Sequence, residues 1–132
     1  MYLIDTDICV HAMSGTASAL LSRLDACSPW EIALSSITLA ELEFGVVWVE
    51  PALRPRRRFL LDALCEHIRV LPFDAAAARA YADIRRADPA RGKNALDKLI
   101  AAHAVSVGAV LVTCNEDDFR RFVDLKVENW VA

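Results

Sequence analysis

Tyr2-Leu3-Ile4-Asp5-Thr6-Asp7 joins a short apolar run to an acidic turn near the start of this chain of 132 residues. A short apolar run that ends at polar turn residues is typical of a strand buried on both faces of a parallel sheet. Similar runs occupy residues 31–35 and 110–113, and residues 69–71 and 126–128 are candidates for a fourth and a fifth strand. The sequence therefore predicts five strands, the first of which spans residues 1–4 and ends at Asp5.

Helical patterns separate these predicted strands. They lie at residues 17–26, 39–49, 53–67, 75–87 and 96–107. Strands that alternate with helices form parallel sheets, because right-handed crossovers return each strand in the same direction. The expected fold class is α/β, a three-layer α/β/α sandwich around a central parallel sheet. The breaks at 51–55 and 87–92 are too short to be linkers, so we expect a single domain over residues 1–132.

Composition excludes several classes of protein. Hydrophobic residues form 55% of the chain, which excludes a disordered protein. The net charge of −3 excludes nucleic-acid binding through overall positive charge. No apolar run approaches the roughly 20 residues of a membrane span and no secretory signal pattern is present, so we expect a cytoplasmic protein without a membrane partner. The four cysteines form no C-x-x-C pair, so neither a zinc site nor a disulfide framework is indicated.

Positive charge is concentrated in two local clusters. The first contains Arg54, Arg56, Arg57 and Arg58, and the second contains Arg85, Arg86, Arg91 and Lys93. Such clusters occur on solvated surfaces and also on surfaces that bind phosphate groups, and the sequence leaves both interpretations open. If the protein binds nucleic acid, we expect the first cluster to make the phosphate contacts.

Four acids stand where a predicted strand or loop is followed by a helix: Asp5, Glu41, Asp97 and Asp118. The carboxyl ends of parallel strands meet at one edge of a sheet, so acids that are distant in sequence become neighbours there. Clustered carboxylates raise one another's pKa unless a cation lies among them, and oxygen ligands suit Mg²⁺ or Mn²⁺. Because these ions assist phosphoester hydrolysis, the pattern predicts a metal-dependent hydrolytic site.

Each acid also has a purely structural interpretation. Asp5 suits an ordinary turn, since aspartate accepts hydrogen bonds from nearby backbone amides. Glu41 follows Thr38 by three residues, which is the spacing of a helix capping box. Asp97 and Asp118 each follow an asparagine by three residues, as first-turn acids that complement a helix dipole do. These structural interpretations do not require that the N-termini of the helices lie at the same edge of a sheet.

Other catalytic patterns receive little support from the sequence. His103 lies in an apolar helical pattern and is expected to be a buried core histidine rather than a ligand. There is no Gly-rich phosphate loop, G-x-S-x-G elbow or H-E-x-x-H motif. The Asp5-Thr6-Asp7 start resembles the D-x-D opening of haloacid-dehalogenase-type phosphatases, but Ile8-Cys9 fits the end of that motif poorly. A catalytically silent subunit that binds a partner or associates with DNA is a further alternative.

Five motifs in one order resemble the PIN-domain ribonucleases, specifically the VapC-type toxins of bacterial toxin–antitoxin pairs. The resemblance covers almost the whole chain. Each motif alone is weak, but their shared order and separations are specific. The motifs are Leu3-Ile4-Asp5-Thr6, Ser36-x-Thr38-x-x-Glu41-Leu42-x-x-Gly45, Asp97-x-x-Ile100-Ala101-Ala102-His103-Ala104, Thr113-x-Asn115-x-x-Asp118-Phe119 and Glu128-Asn129-Trp130.

The resemblance implies an endoribonuclease site that depends on Mg²⁺ or Mn²⁺ and an RNA substrate. By motif position, Asp5, Glu41 and Asp97 correspond to the metal-binding acids of the family, and Asp118 corresponds to its more variable fourth acid. The family's supporting polar residues correspond to Thr6, Thr38 and Asn115. The chain departs from the family pattern at Leu96, where many relatives carry a polar residue, and in a short approach at residues 89–95. This departure predicts a reshaped loop before Asp97.

The resemblance also implies protein partners. These are a cognate antitoxin and a second copy of the chain in a homodimer, with DNA contacted only through the antitoxin. The segment Phe44-Gly45-Val46-Val47-Trp48-Val49 carries more apolar surface than one helix face usually buries. We expect this segment to serve the dimer or a groove for the antitoxin.

Overall fold

The computed structural model describes residues 1–90, 92 and 94–131. Five strands form one sheet in which every neighbouring pair is parallel, in the order β3-β2-β1-β4-β5. This arrangement confirms the predicted α/β fold and all five predicted strands, whose ends differ from the predicted ones by one residue at most. The strands are β1 (Tyr2–Ile4), β2 (Ile32–Ser35), β3 (Arg69–Leu71), β4 (Val110–Val112) and β5 (Lys126–Glu128).

Helices connect the strands, and five of them correspond to the predicted helical patterns. They are α1 (Thr6–Ser14), α2 (Ser18–Ala26), α3 (Ser36–Trp48), α4 (Arg54–His67), α5 (Ala75–Ala87), α6 (Ala95–Val107) and α7 (Glu116–Phe119), with a 3-10 turn at Pro51–Leu53 between α3 and α4.

The helix α1 is absent from the predicted pattern. Its apolar residues run together at Ile8, Cys9 and Val10 instead of recurring at a helical spacing. Its boundary signals are nevertheless present, because Asp5 caps the first turn and Gly15 ends the helix at φ 70°. A residue in this left-handed conformation after a helix is usually glycine, which has no Cβ to clash. Boundary residues therefore define α1 where periodicity does not.

Two hydrophobic clusters cover the two faces of the sheet. Successive residues of a strand point to opposite faces, so Leu3 packs in one cluster and Ile4 in the other. The cluster around Ile4 includes residues of α1 to α4, and the cluster around Leu3 includes residues of α6 and α7. This division gives the three layers of the predicted sandwich. None of the helices in the described part of the chain is long and apolar enough to cross a membrane.

The strand order places a crevice between β1 and β4. From the central strand β1 the chain builds outward through β2 and β3 on one side, and then through β4 and β5 on the other. In open α/β sheets, ligands bind outside the carboxyl ends of the strands at the point where the strand order reverses. Asp5 directly follows β1 and Thr113 directly follows β4, so these two side chains border that point.

Candidate active site

Asp5 is held in a fixed orientation at the carboxyl end of β1. Only 4% of the residue is exposed. Its Oδ1 accepts a hydrogen bond from the Thr6 amide at 2.8 Å, and its Oδ2 accepts one from the Thr113 hydroxyl at 2.8 Å. The Thr113 hydroxyl oxygen in turn accepts a hydrogen bond from the Asn115 backbone amide at 3.0 Å. Asp5 therefore bridges β1 and β4 across the point where the strand order reverses.

Glu41 enters the site from α3. Its Oε1 accepts a hydrogen bond from the Thr6 hydroxyl at 2.9 Å, and the Thr6 hydroxyl lies 3.5 Å from that of Thr38. The capping-box interpretation of Thr38 and Glu41 is wrong. Ser35 caps α3, because its hydroxyl oxygen accepts a hydrogen bond from the Ile37 amide at 3.1 Å. The helix begins three residues earlier than predicted, which leaves the Glu41 side chain to face the end of β1.

Asp97 and Asp118 approach the same region from α6 and α7. Burial raises the pKa of Asp97 above its ordinary value, and the nearby carboxylates of Asp118 and Glu41 raise it further. Arg121 acts in the opposite direction on this pKa. Asp97 and Asp118 are both half-buried and lie in the first turns of their helices. Asp97 in turn raises the pKa of Asp5, so the four predicted acids are linked electrostatically through Asp97.

Asp7 also belongs to this group, although sequence reasoning did not select it as a site residue. Its Oδ2 accepts a hydrogen bond from the Cys114 amide at 3.2 Å, and its Oδ1 accepts one from the Ile8 amide at 2.7 Å. Burial raises the pKa of Asp5 to about 7, and after burial the Asp7 carboxylate contributes most to this increase. The available signal was the two-residue spacing of Asp5 and Asp7.

Comparison with known proteins identifies this arrangement. The sequence pattern of the PIN domain matches residues 2–125 of the chain. The chain belongs to the PIN-domain family. It is 32% identical to Ribonuclease VapC2 of Rickettsia felis, over 98% of both proteins, and 31% identical to the tRNA(fMet)-specific endonuclease VapC of Shigella flexneri, over 98% of this chain and 97% of that protein.

Solved structures agree with this assignment. The crystal structure of VapBC2 from Rickettsia felis, bound to a DNA fragment from its promoter, matches the fold with a TM-score of 0.88 and 31% sequence identity. The match covers 98% of each chain. The chain is therefore a PIN-domain protein of the VapC ribonuclease group, as its motifs indicate. The phosphatase alternative loses its support, because the comparisons match the PIN fold across the chain.

The donor atoms of this PIN-domain site fit a hydrated divalent ion. The described residues, 1–90, 92 and 94–131, contain no three His, Cys, Asp or Glu side chains arranged to close around one ion. Mg²⁺ generally keeps several waters and takes one or two protein carboxylates together with substrate phosphates, so it does not require a closed cage. Carboxylates that raise one another's pKa at an open sheet edge attract such a cation. An all-oxygen donor set favours Mg²⁺ or Mn²⁺ over Zn²⁺.

The predicted basic cluster is only partly available to a ligand. Arg58 forms ion pairs with Glu43 and Asp62, the latter with Nη1 to Oδ1 at 3.2 Å. These partners raise the pKa of the Arg58 guanidinium further above its already high value. Arg54, Arg56 and Arg57 are exposed. In the second cluster, Arg85 and Arg86 lie in the last turn of α5, whereas Arg91 and Lys93 lie outside the described residues.

His103 and Cys114 have structural rather than catalytic surroundings. His103 is buried, as predicted; its Nδ1 lies 2.7 Å from the Ser35 hydroxyl, and its ring packs edge-on against Phe73. Burial lowers the pKa of His103 and so favours the neutral form of the ring. Burial and the carboxylates of Asp7 and Asp5 raise the pKa of Cys114 to about 11, so its thiol is protonated at neutral pH.

Proposed function

We propose that this protein is an endoribonuclease toxin of the VapC type that depends on a divalent metal ion, Mg²⁺ or Mn²⁺. Asp5, Glu41 and Asp97 are its proposed metal ligands, and residues 1–132 act as one nuclease domain. The observation that carries this proposal is the position of Asp5 at the reversal of strand order, where burial and then the carboxylates of Asp7 and Asp97 raise its pKa. Membership of a family with ribonuclease relatives supports the same activity.

The residues around Asp5 prepare the site before any ligand binds. The Thr6 amide and the Thr113 hydroxyl fix the two carboxylate oxygens of Asp5, and the Thr6 hydroxyl orients Glu41. Fixed rotamers reduce the entropy lost when ligand and substrate bind. When bound, a divalent ion supplies a more acidic water and neutralises charge on the phosphoryl oxygens. We assign Asp118 to orientation of the attacking water or to a second ion.

Supporting roles follow from the same contacts. Thr6 links the first acid to the second, and Thr38 lies beside the Thr6 hydroxyl. Asn115 acts through its backbone amide, which donates a hydrogen bond to the Thr113 hydroxyl oxygen. We assign these residues to holding the acids rather than to binding the ion. Asp7 adds negative charge next to Asp5, and this charge increases the attraction for a cation.

RNA phosphates require cationic contacts outside the acidic site. We propose that Arg54, Arg56 and Arg57 make these contacts, whereas Arg58 contributes less because two carboxylates already pair with it. Alanine at these three positions should weaken RNA binding and reduce the slope of log affinity against log salt by about 0.7 for each lost phosphate contact. Filter binding of a single-stranded RNA, measured at salt concentrations from about 50 to about 200 mM, gives this slope.

Arg58→Ala is the matched control for this experiment. It removes one positive charge from the same helix, so it separates general charge loss from lost phosphate contacts. We expect its salt slope to stay close to that of the unmodified protein. A triple variant with an unchanged slope would assign the cluster to a solvated surface instead.

A cognate antitoxin and a second copy of the chain are the proposed protein partners. The matched structures from Rickettsia felis and Salmonella typhimurium are VapBC complexes, which supports an antitoxin that also carries any contact with DNA. Phe44, Val47 and Trp48 form an exposed apolar surface on α3, which supports homodimer formation. Light scattering that reports a monomer at tens of micromolar would contradict the dimer. Because RNA is the substrate, we place the activity in the cytoplasm.

Cleavage of RNA by the purified chain tests the proposed function. The protein, free of any antitoxin, is incubated with total bacterial RNA and separately with initiator tRNA, in Mg²⁺, Mn²⁺ or EDTA. Initiator tRNA is included because the Shigella flexneri relative is named for it. We expect discrete fragments with either metal and none with EDTA. Equal cleavage in EDTA would contradict the metal-dependent mechanism, and a folded protein without cleavage would favour a silent binding subunit.

A further inference from the structure

Lys98 is a buried lysine that directly follows the proposed ligand Asp97. Only 2% of the residue is exposed. Its ammonium group donates hydrogen bonds to the backbone carbonyl of Asp88, at 2.6 Å, and to that of Ala90. Its Nζ also lies 3.5 Å from the Asp88 Oδ1. A buried ammonium is costly unless it is paired and hydrogen-bonded, so these contacts are what retain Lys98 in this position.

The contacts of Lys98 connect the end of α5 to the start of α6. Asp88 is the residue that ends α5, and its carbonyl lies at the negative end of that helix dipole, where a cation is favourable. At the other helix, the Asn94 side chain makes no capping hydrogen bond to α6 among the described residues. The first turn of α6, which carries Asp97, therefore lacks the side-chain cap that commonly stabilises the start of a helix. Lys98 supplies a restraint from a neighbouring element.

Asp88 extends the same connection to α7. Its Oδ2 forms an ion pair with the Arg121 Nη1 at 2.8 Å, and the Arg121 Nε donates a hydrogen bond to the Asp118 backbone carbonyl at 3.1 Å. Lys98 and Arg121 therefore share the Asp88 carboxylate. Lys98 is next to Asp97 in the sequence, and Arg121 contacts the backbone of Asp118. The segment from Asp88 to Ala90 thus joins the two helices that present Asp97 and Asp118.

We propose that Lys98 is a positioning residue that holds the first turn of α6, and with it Asp97, in the geometry that binds the metal ion. This inference rests on the proposed function, because it concerns the ligand role of Asp97. Lys98 acts through the backbone carbonyls of Asp88 and Ala90 and touches neither RNA nor the ion.

Lys98→Met tests the proposal because methionine fills a similar volume without donating hydrogen bonds. Asp88 is half-buried and Ala90 is exposed, so we expect water to reach their carbonyls and the variant to fold. We expect Mn²⁺ affinity, measured from the electron paramagnetic resonance signal of free Mn²⁺, to fall about tenfold or more. We also expect kcat to fall while the KM for RNA changes little. Hydrogen exchange should accelerate at the Asp88 and Ala95 backbone amides, which donate to the Ile84 and Gly92 carbonyls.

Two controls separate positioning from general loss of stability. Lys126→Met removes an exposed lysine at the start of β5. This position lies at the amino ends of the parallel strands, whereas the site lies at their carboxyl ends, so Mn²⁺ affinity should be unchanged. Leu61→Ala opens a cavity in the other hydrophobic cluster and should lower Tm without changing Mn²⁺ affinity. If Leu61→Ala weakens Mn²⁺ binding as much as Lys98→Met does at equal Tm, the positioning role is overturned.

Asp88→Ala is the second variant, and it decides the matter if Lys98→Met does not fold. It removes the carboxylate shared by Lys98 and Arg121 and should weaken Mn²⁺ binding several-fold. Unchanged Mn²⁺ affinity in a folded Lys98→Met protein, or in Asp88→Ala when Lys98→Met is unfolded, overturns the proposal.

A failure of the proposed function gives a different result: the unmodified protein itself binds no Mn²⁺, or Asp97→Asn binds it as well as the unmodified protein does. Either of these overturns the role of Lys98 in metal binding, while the exchange rates at the Asp88 and Ala95 amides still report whether Lys98 restrains the start of α6.

Discussion

Asp5→Asn should reduce metal-dependent RNA cleavage by at least about 10³-fold, because a carboxylate ligand is replaced by a neutral amide. A metal ion contributes several kcal/mol to charge stabilisation in the transition state, and each 1.36 kcal/mol corresponds to roughly tenfold in rate. Asparagine keeps the shape of Asp5 and can still accept a hydrogen bond from the Thr6 amide. We therefore expect loss of cleavage without loss of the fold, measured by initial rates and circular dichroism.

Asp25→Asn provides a matched control for Asp5→Asn. It makes the same chemical change at an exposed position on α2, so it should cleave RNA at the rate of the unmodified protein. Cleavage at the normal rate by a folded Asp5→Asn protein would remove Asp5 from the site. Equal loss in both variants would indicate a nonspecific effect of charge.

The stability of the metal-free protein should fall as pH rises from about 4 to about 7, and Asp5 should be a main cause. The pKa of Asp5 is about 7 in the folded protein, against 3.8 for an ordinary aspartate. The folded state therefore binds more protons than the unfolded state in this range, so the free energy of unfolding decreases with pH. A shift of about three units corresponds to at most roughly 4 kcal/mol at 1.36 kcal/mol per unit. Asp97 acts in the same direction, since its pKa is also raised.

Comparison with Asp5→Asn isolates the contribution of Asp5 from those of other groups. His103 has the opposite effect, because its lowered pKa makes stability increase with pH in its own titration range. Urea unfolding in EDTA at pH values from about 4.5 to about 7.5, roughly one unit apart, gives the free energy of unfolding of both proteins as a function of pH. We expect Asp5→Asn to gain stability relative to the unmodified protein as pH rises. A difference that is independent of pH would show that Asp5 has an ordinary pKa in the folded protein.

The sheet and most of the helices follow from local patterns. The strands β3 and β5 match their predicted ends, although both are edge strands whose residues are partly or fully exposed. The start of α3 was misplaced because Thr38 and Glu41 have capping-box spacing, while Ser35, at the end of β2, caps the helix. A strand that ends directly at a helix cap leaves no loop residues to mark the boundary.

The candidate site was predictable in its acids and not in the groups that fix them. Asp5, Glu41, Asp97 and Asp118 were visible because each stands near a helix start. The Thr113 hydroxyl reaches Asp5 across 108 positions of sequence, and this contact depends on β4 lying next to β1. Strand order is a tertiary property that single-sequence patterns do not encode. Lys98 was hidden for a similar reason, because its partners lie on the chain segment that ends α5.

Anomalous diffraction from crystals grown with Mn²⁺ tests the central claim most directly. The account predicts a Mn²⁺ peak at the carboxyl ends of β1 and β4, coordinated by carboxylate oxygens among Asp5, Glu41 and Asp97, and absent from crystals of Asp5→Asn. A Mn²⁺ peak elsewhere on the protein, with these carboxylates uncoordinated at saturating Mn²⁺, would contradict the account.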